Sequence, residues 1–241
     1  MASISGVNRG SRSKLWVAWV TGLALAWVSW IVVLADSAAP FADWERQLAA
    51  NPTNRTALVQ LAKAHHNEAT RGGDNAAVHT AKARDYLGRL LRLDPQHAFG
   101  RALLGSTTIL TAREAFWPGT KLKRVREGLT VLDAAVADFP DDPDARFTRA
   151  VNNLFLPDLF ERRKVVEADF QWLQERADRG EFDPEFRQYV FLYHGRAAAK
   201  WVAPERAKDL WQRGLNIDPQ SKVADELRRE LAGLKPKPAN P

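Results

Sequence analysis

AKDLWQRGLNIDP, residues 207–219, carries the spacing that decides the fold. Ala207 is followed by Trp211, Gly214 and Pro219 at intervals of four, three and five residues. Intervals of three and four put side chains on one face of a helix, so a bulky ring sits between two small positions. Small residues let a second helix come close, and the ring fills the groove beside it. Asp218-Pro219 then closes the segment. A proline cannot continue a helix from the preceding turn but fits the first turn of the next. The aspartate before it is expected to cap that next helix by accepting backbone N–H bonds.

The same spacing returns upstream. Ala83, Leu87, Leu90 and Pro95 repeat it, as do Gly128, Leu132, Ala135 and Pro140. Breaks fall at Asn51-Pro52, Asp94-Pro95, Pro140 to Pro143, Asp183-Pro184 and Asp218-Pro219. From Pro52 the successive intervals to Pro95, Pro140, Pro184 and Pro219 are 43, 45, 44 and 35 residues. A partner helix precedes each of these stripes, marked by Leu58, Leu61 and Ala62, by Leu104 and Gly105, and by Phe191 and Gly195. Runs of alternating β-branched residues are missing, so the chain reads as all-α.

Over roughly residues 41–233 these residues resemble the tetratricopeptide repeat, a helix–turn–helix unit of about 34 residues. The segment Glu127-Gly128-Leu129 through Ala135-Val136, with Pro143, Arg146-Phe147 and Leu156-Pro157, is also similar to a group of uncharacterised bacterial repeat proteins. The resemblance implies a right-handed α–α superhelix of helical hairpins and no particular activity. The expected elements are a lead-in helix over 41–50 and helix pairs over 53–70 with 76–92, 96–115 with 121–138, 144–156 with 160–178, and 185–201 with 205–216. A polar helix over 220–233, carrying Glu226, Arg228, Arg229 and Glu230, is expected to cap the array, and 235–241 reads as a disordered tail. The repeat domain as a whole takes in 36–234.

Ahead of the repeats, Leu15 to Ala35 runs for 21 residues without a charge. As a helix it would span roughly 31 Å, close to the thickness of a bilayer core. Trp16 and Trp19 lie toward one end and Trp27 and Trp30 toward the other, as interfacial tryptophans do. Arg9, Arg12 and Lys14 precede it, so residues 1–14 are expected to stay in the cytoplasm and the repeat domain to face the periplasm or cell exterior. The localisation this implies is single-pass in the inner membrane. A cleaved signal peptide is the competing reading; its apolar region is typically about 7–15 residues, shorter than this one. The sequence holds no cysteine, which excludes disulfides, thiolate catalysis and cysteine-held zinc.

The candidate partner-binding residues are Phe116, Trp117, Lys121, Lys123, Arg124, Arg149, Asn152 and Asn153. Phe116 and Trp117 lead into an expected Pro118-Gly119 turn, where they either pack over their own helix pair or stand out as an aromatic anchor. Lys121, Lys123, Arg124 and Arg126, and separately Arg162, Arg163 and Lys164, read either as solvated helix faces or as contacts for anionic lipid or an acidic protein. Arg149, Asn152 and Asn153 are candidates for peptide contact or for polar links between helices. Five histidines occur without a recognised metal spacing, and His65 with His79 could meet only across a helix pair. The triplet Asp141, Asp142 and Asp144 reads as helix capping. No catalytic or phosphate-binding motif is present, and no cofactor, metal or nucleic acid is expected. The expected function is a non-enzymatic, membrane-anchored scaffold or assembly factor that binds a protein of the cell envelope. Its alternative is an exported binder of a small ligand or lipid, with Trp117, Trp172, Trp201 and Trp211 as the pocket. Oligomeric state is not legible in the sequence.

Overall fold

A computed structural model describes residues 41–234. The expected anchor at 15–35, the N-terminal arm 1–14 and the tail 235–241 lie outside the described residues. Ten α-helices and no strand occur among the described residues. They are α1 (Phe41–Ala50), α2 (Arg55–Arg71), α3 (Ala76–Leu93), α4 (Ala98–Leu110), α5 (Pro118–Asp138), α6 (Pro143–Leu154), α7 (Arg163–Asp178), α8 (Pro184–Trp201), α9 (Pro204–Ile217) and α10 (Lys222–Gly233). Short 3-10 turns follow α4 at Thr111–Glu114 and α6 at Asp158–Phe160. No described helix is long and apolar enough to cross a membrane.

The chain gathers into two compact units. The first takes the described residues up to Gly100 together with Thr107–Thr130, and the second takes Arg101–Ser106 together with the described residues from Val131 onward. In the first, α2 pairs with α3, and α1 lies along α2. Leu58, Leu61 and Ala62 of α2 and Ala83, Leu87 and Leu90 of α3 are fully buried, so the stripes read from the sequence are the packed faces. In the second unit α6 pairs with α7 and α8 with α9, α7 also meets α8, and α10 closes against α8 and α9.

Close approach explains the small positions. Trp211 is buried and its Nε1 donates to the Leu192 carbonyl at 2.9 Å. A Cβ on Gly195 would run into the Trp211 indole, and one on Gly214 would sit 2.9 Å from Phe191 Cβ. The α8–α9 crossing therefore needs hydrogen at both positions.

The punctuation differs from expectation in one respect. Asp142 and Asp183 do cap, accepting from Ala145 N at 2.7 Å and Phe186 N at 2.9 Å with a proline in the first helical turn. At Asn51-Pro52, Asp94-Pro95 and Asp218-Pro219 the residue before proline instead opens a four-residue turn, and the cap comes three residues later. The carbonyls of Asn51, Asp94, Phe139 and Asp218 accept from the N–H of Asn54, His97, Asp142 and Ser221 at 3.0, 3.2, 3.2 and 3.4 Å. Each of those four residues then caps the following helix through its side chain. Proline is at the second turn position every time, where its fixed φ suits the turn. Asn54 caps α2 through its amide oxygen, which accepts from Ala57 N at 3.0 Å.

The last helix is less polar than its sequence suggests. Val223, Ala224 and Leu227 are buried, and Glu226 and Glu230 turn inward to Arg196 at 3.1 and 2.7 Å.

Candidate functional site

The turn between α4 and α5 is held from below. Arg113, in the 3-10 turn, donates to the Ala69 carbonyl at 2.9 Å and the Thr70 carbonyl at 3.3 Å, both at the end of α2. Arg124, on the first half of α5, donates to the Thr111 carbonyl at 2.6 Å. Two guanidinium groups thus bridge the turn to carbonyls at the end of α2 and at the start of the 3-10 turn. Pro118 is the first residue of α5, and Gly119 and Thr120 are helical, so the expected Pro-Gly turn is a helix start. Phe116 and Trp117 project beyond it, 86 % and 70 % exposed, their rings edge to face at 5.5 Å. They do not pack over their own helix pair. Lys121 is half-buried, and Lys123 is exposed with Glu127 3.9 Å away. Phe116, Trp117, Lys121, Lys123 and Arg124 therefore share one corner, with Arg124 committed to holding it.

Arg149, Asn152 and Asn153 belong to a different arrangement in the second unit. Asp169, on α7, is fully buried and accepts from Arg146 Nη1 at 2.9 Å, Arg149 Nε at 2.8 Å and Arg149 Nη2 at 2.8 Å. Asp133 receives Arg162 at 2.5 Å and lies 3.5 Å from Arg149. Arg162 Nε also donates to Asn153 Oδ1 at 2.7 Å, and Asn153 Nδ2 donates to the Arg149 carbonyl at 2.9 Å. Asn152 accepts from Ser106 Oγ at 3.0 Å and donates to the Thr148 carbonyl at 2.8 Å. Burial works against the charge on Arg149, but the hydrogen bonds and charges of Asp169 and Asp133 outweigh it and push its pKa up. The polar groups of these residues are satisfied by one another, which is the polar-link reading of the sequence. Asp169 is not among the sequence candidates because its partners lie 20 and 23 residues away on another helix, a distance at which no sequence spacing signals contact.

The tryptophans divide as well. Arg146 and Arg176 flank the Trp172 ring at 4.6 and 3.5 Å, and Trp211 is core. Trp201 lines a cavity of about 240 Å³ together with Asn153, Leu156, Asp158, Glu161 and Arg162. In the first unit a cleft of about 350 Å³ lies beside the first turns of α2, lined by Arg55, Thr56, Val59, Gln60, Asp94 and His97. The Arg55–Asp94 ion pair, 3.3 Å, borders it.

His65 and His79 do meet, Nδ1 to Nδ1 at 2.8 Å, so one ring donates and the other accepts. Phe41 and Tyr86 cover His65, with ring centroids 4.7 and 5.7 Å away. Burial first, then the charges of His79 and Lys82, push the His65 pKa down to about 4. His66, wholly buried against Thr107, is pushed down to about 4 by burial and by Arg113. Among the described residues no group of three or more His, Asp or Glu side chains is placed to hold a metal ion.

No protein-family model matches the sequence. No curated protein matches it. Among solved structures it is similar to a thermophilic TPR protein of Thermus thermophilus, at 18 % identity, with a TM-score of 0.61 over 80 % of this chain and 89 % of that one. Together with the paired helices and their glycine-dependent crossings, that likeness establishes a tetratricopeptide-like helical-hairpin fold.

Proposed function

We propose that the protein is a membrane-tethered, non-enzymatic scaffold whose helix pairs hold a partner protein in the cell envelope. The observation that carries the reading is the tetratricopeptide-like fold over 80 % of the chain, an architecture whose first helices form preformed binding faces. The cleft on α2 is such a face: Val59 offers apolar contact between the polar groups of Arg55, Gln60, Asp94 and His97. Leu15–Ala35 supports the tether, and the basic residues before it support export of the domain. Holding the scaffold in two dimensions raises its effective concentration beside a membrane complex.

Cross-linking in intact membranes followed by affinity capture of the full-length chain is expected to recover a reproducible envelope protein. Val59→Asp is expected to reduce that capture without changing the helical content seen by circular dichroism. If the wild-type chain recovers no reproducible partner, the scaffold reading fails. A chain that fractionates with the soluble cytosol removes the tether.

A further inference from the structure

We infer that the Phe116–Trp117 corner is a second membrane contact, seating the first unit on an anionic lipid surface beside the tether; the inference rests on the tether reading above. Three observations within that unit point the same way.

The first is where the chain enters. Phe41 opens α1, its ring tilted against that of His65 at 4.7 Å and 6.4 Å from that of His79 in the first turn of α3. His65 is one helical turn, about 6 Å, before Ala69. Ala69 and Thr70 hold Arg113, and Phe116 and Trp117 follow within four residues. The start of α1 and the aromatic corner are therefore at the same end of the unit. Five residues separate Ala35 from Phe41, so the six steps between them reach at most about 22 Å. A domain tethered so closely presents that end to the bilayer without folding back.

The second observation is exposure. Residues 116–120 are all exposed, and Val78, at the same end, is a further exposed apolar side chain. Tryptophan gains most where one side is apolar and the other wet, which is the lipid headgroup boundary, and a neighbouring phenylalanine adds apolar area on the lipid side.

The third is charge. Lys121 and Lys123 follow the rings in the first turns of α5, and no acidic residue occupies its first turn. The open N–H groups of that helix end also favour phosphate oxygens. Glu114, exposed, precedes the rings in the chain, and Glu68 is paired with Arg71. Aromatic rings backed by lysines and a helix N-terminus fit an anionic headgroup layer.

Because the chain lacks cysteine, single labels test this directly. The full-length protein is made as Phe116→Cys, as Trp117→Cys and, as a control on the exposed side of α5, as Thr130→Cys. Each carries an environment-sensitive fluorophore and is reconstituted into phosphatidylcholine vesicles with or without phosphatidylglycerol. Lipids bearing a shallow nitroxide should quench the labels at 116 and 117 several-fold more than the label at 130 in the anionic vesicles. Adding Lys121→Glu and Lys123→Glu, or raising the salt, should lower that quenching to the level seen in neutral vesicles. Labels at 116 and 117 quenched no more than the control, in a chain that floats with the vesicles, overturn this inference alone. Labels shielded from aqueous iodide but untouched by the lipid nitroxide would mean that protein covers the corner, and overturn it too. A chain that floats with neither vesicle overturns the tether and this inference with it.

Discussion

Asp169→Ala removes the carboxylate on which two arginines converge, and the cost follows from the geometry. Asp169 has no exposure and accepts three hydrogen bonds of 2.8–2.9 Å from Arg146 and Arg149, whose side chains are each 16 % exposed. Breaking such a buried pair from one side costs about 3–5 kcal/mol, because the remaining cations lose the buried carboxylate they share and are not returned to water. For a domain of this size each kcal/mol corresponds to about 2–4 °C, so the midpoint of thermal unfolding should fall by roughly 6–20 °C. Asp169→Asn keeps the shape but turns an amide N–H toward a guanidinium, and should lose stability on the same scale. Asp133→Ala serves as the comparison. Its side chain is 39 % exposed, so solvent screens its ion pair and about 1 kcal/mol or less is expected. The assay is loss of helical circular dichroism in the full-length protein in detergent, by heat and by urea. If Asp169→Asn and Asp169→Ala unfold within about 1 kcal/mol of wild type, the claim that this carboxylate holds α6 to α7 is wrong.

Acid should weaken the fold in a defined window. His65, His66 and His194 are held near 4 against an ordinary value of 6.5, burial being the first cause in each, so the unfolded chain binds protons more readily between those values. Stability is then full above about pH 6.5 and falls as pH drops toward 4, by up to about 1.4 kcal/mol per pH unit for each histidine. Urea midpoints at pH 7, 6 and 5 check this, and a flat or rising series contradicts it. Gly195→Ala and Gly214→Ala should each destabilise by about 1–3 kcal/mol, since the added methyl meets Trp211 or Phe191. Gly119→Ala, with nothing within 4 Å, should be neutral or slightly stabilising in the same melts. Ser221→Ala and Asp142→Ala each remove a helix cap and should cost about 1 kcal/mol by urea titration.

Helix positions are readable because their determinants are local. A proline at the second position of a four-residue turn marks many of the starts, and α1 at 41–50 and the starts of α3 and α8 fall within a residue of expectation. Which residue caps differs from expectation at three breaks, because Asp-Pro alone does not distinguish a cap from the opening of a turn three residues earlier. Pro118 reads as a turn for a similar reason: a proline after two aromatics fits a turn and a first helical position equally well. The Asp169 cluster and the contact between His65 and His79 form between helices, where meeting depends on crossing geometry that no spacing along the chain encodes. Exposure of Phe116 and Trp117 is open in the sequence for the same reason, since only the tertiary packing determines whether a neighbour covers them.

The inward turn of Glu226 and Glu230 bears on where the gene product can be shortened. Arg196 lies in α8, and both of its acidic partners arrive from the last described helix, 30 and 34 residues downstream. A stop codon placed after Ile217 would delete both counter-ions and uncover the sides of α8 and α9. The truncated product would carry a cation in a greasy crevice and become a substrate for quality-control proteolysis.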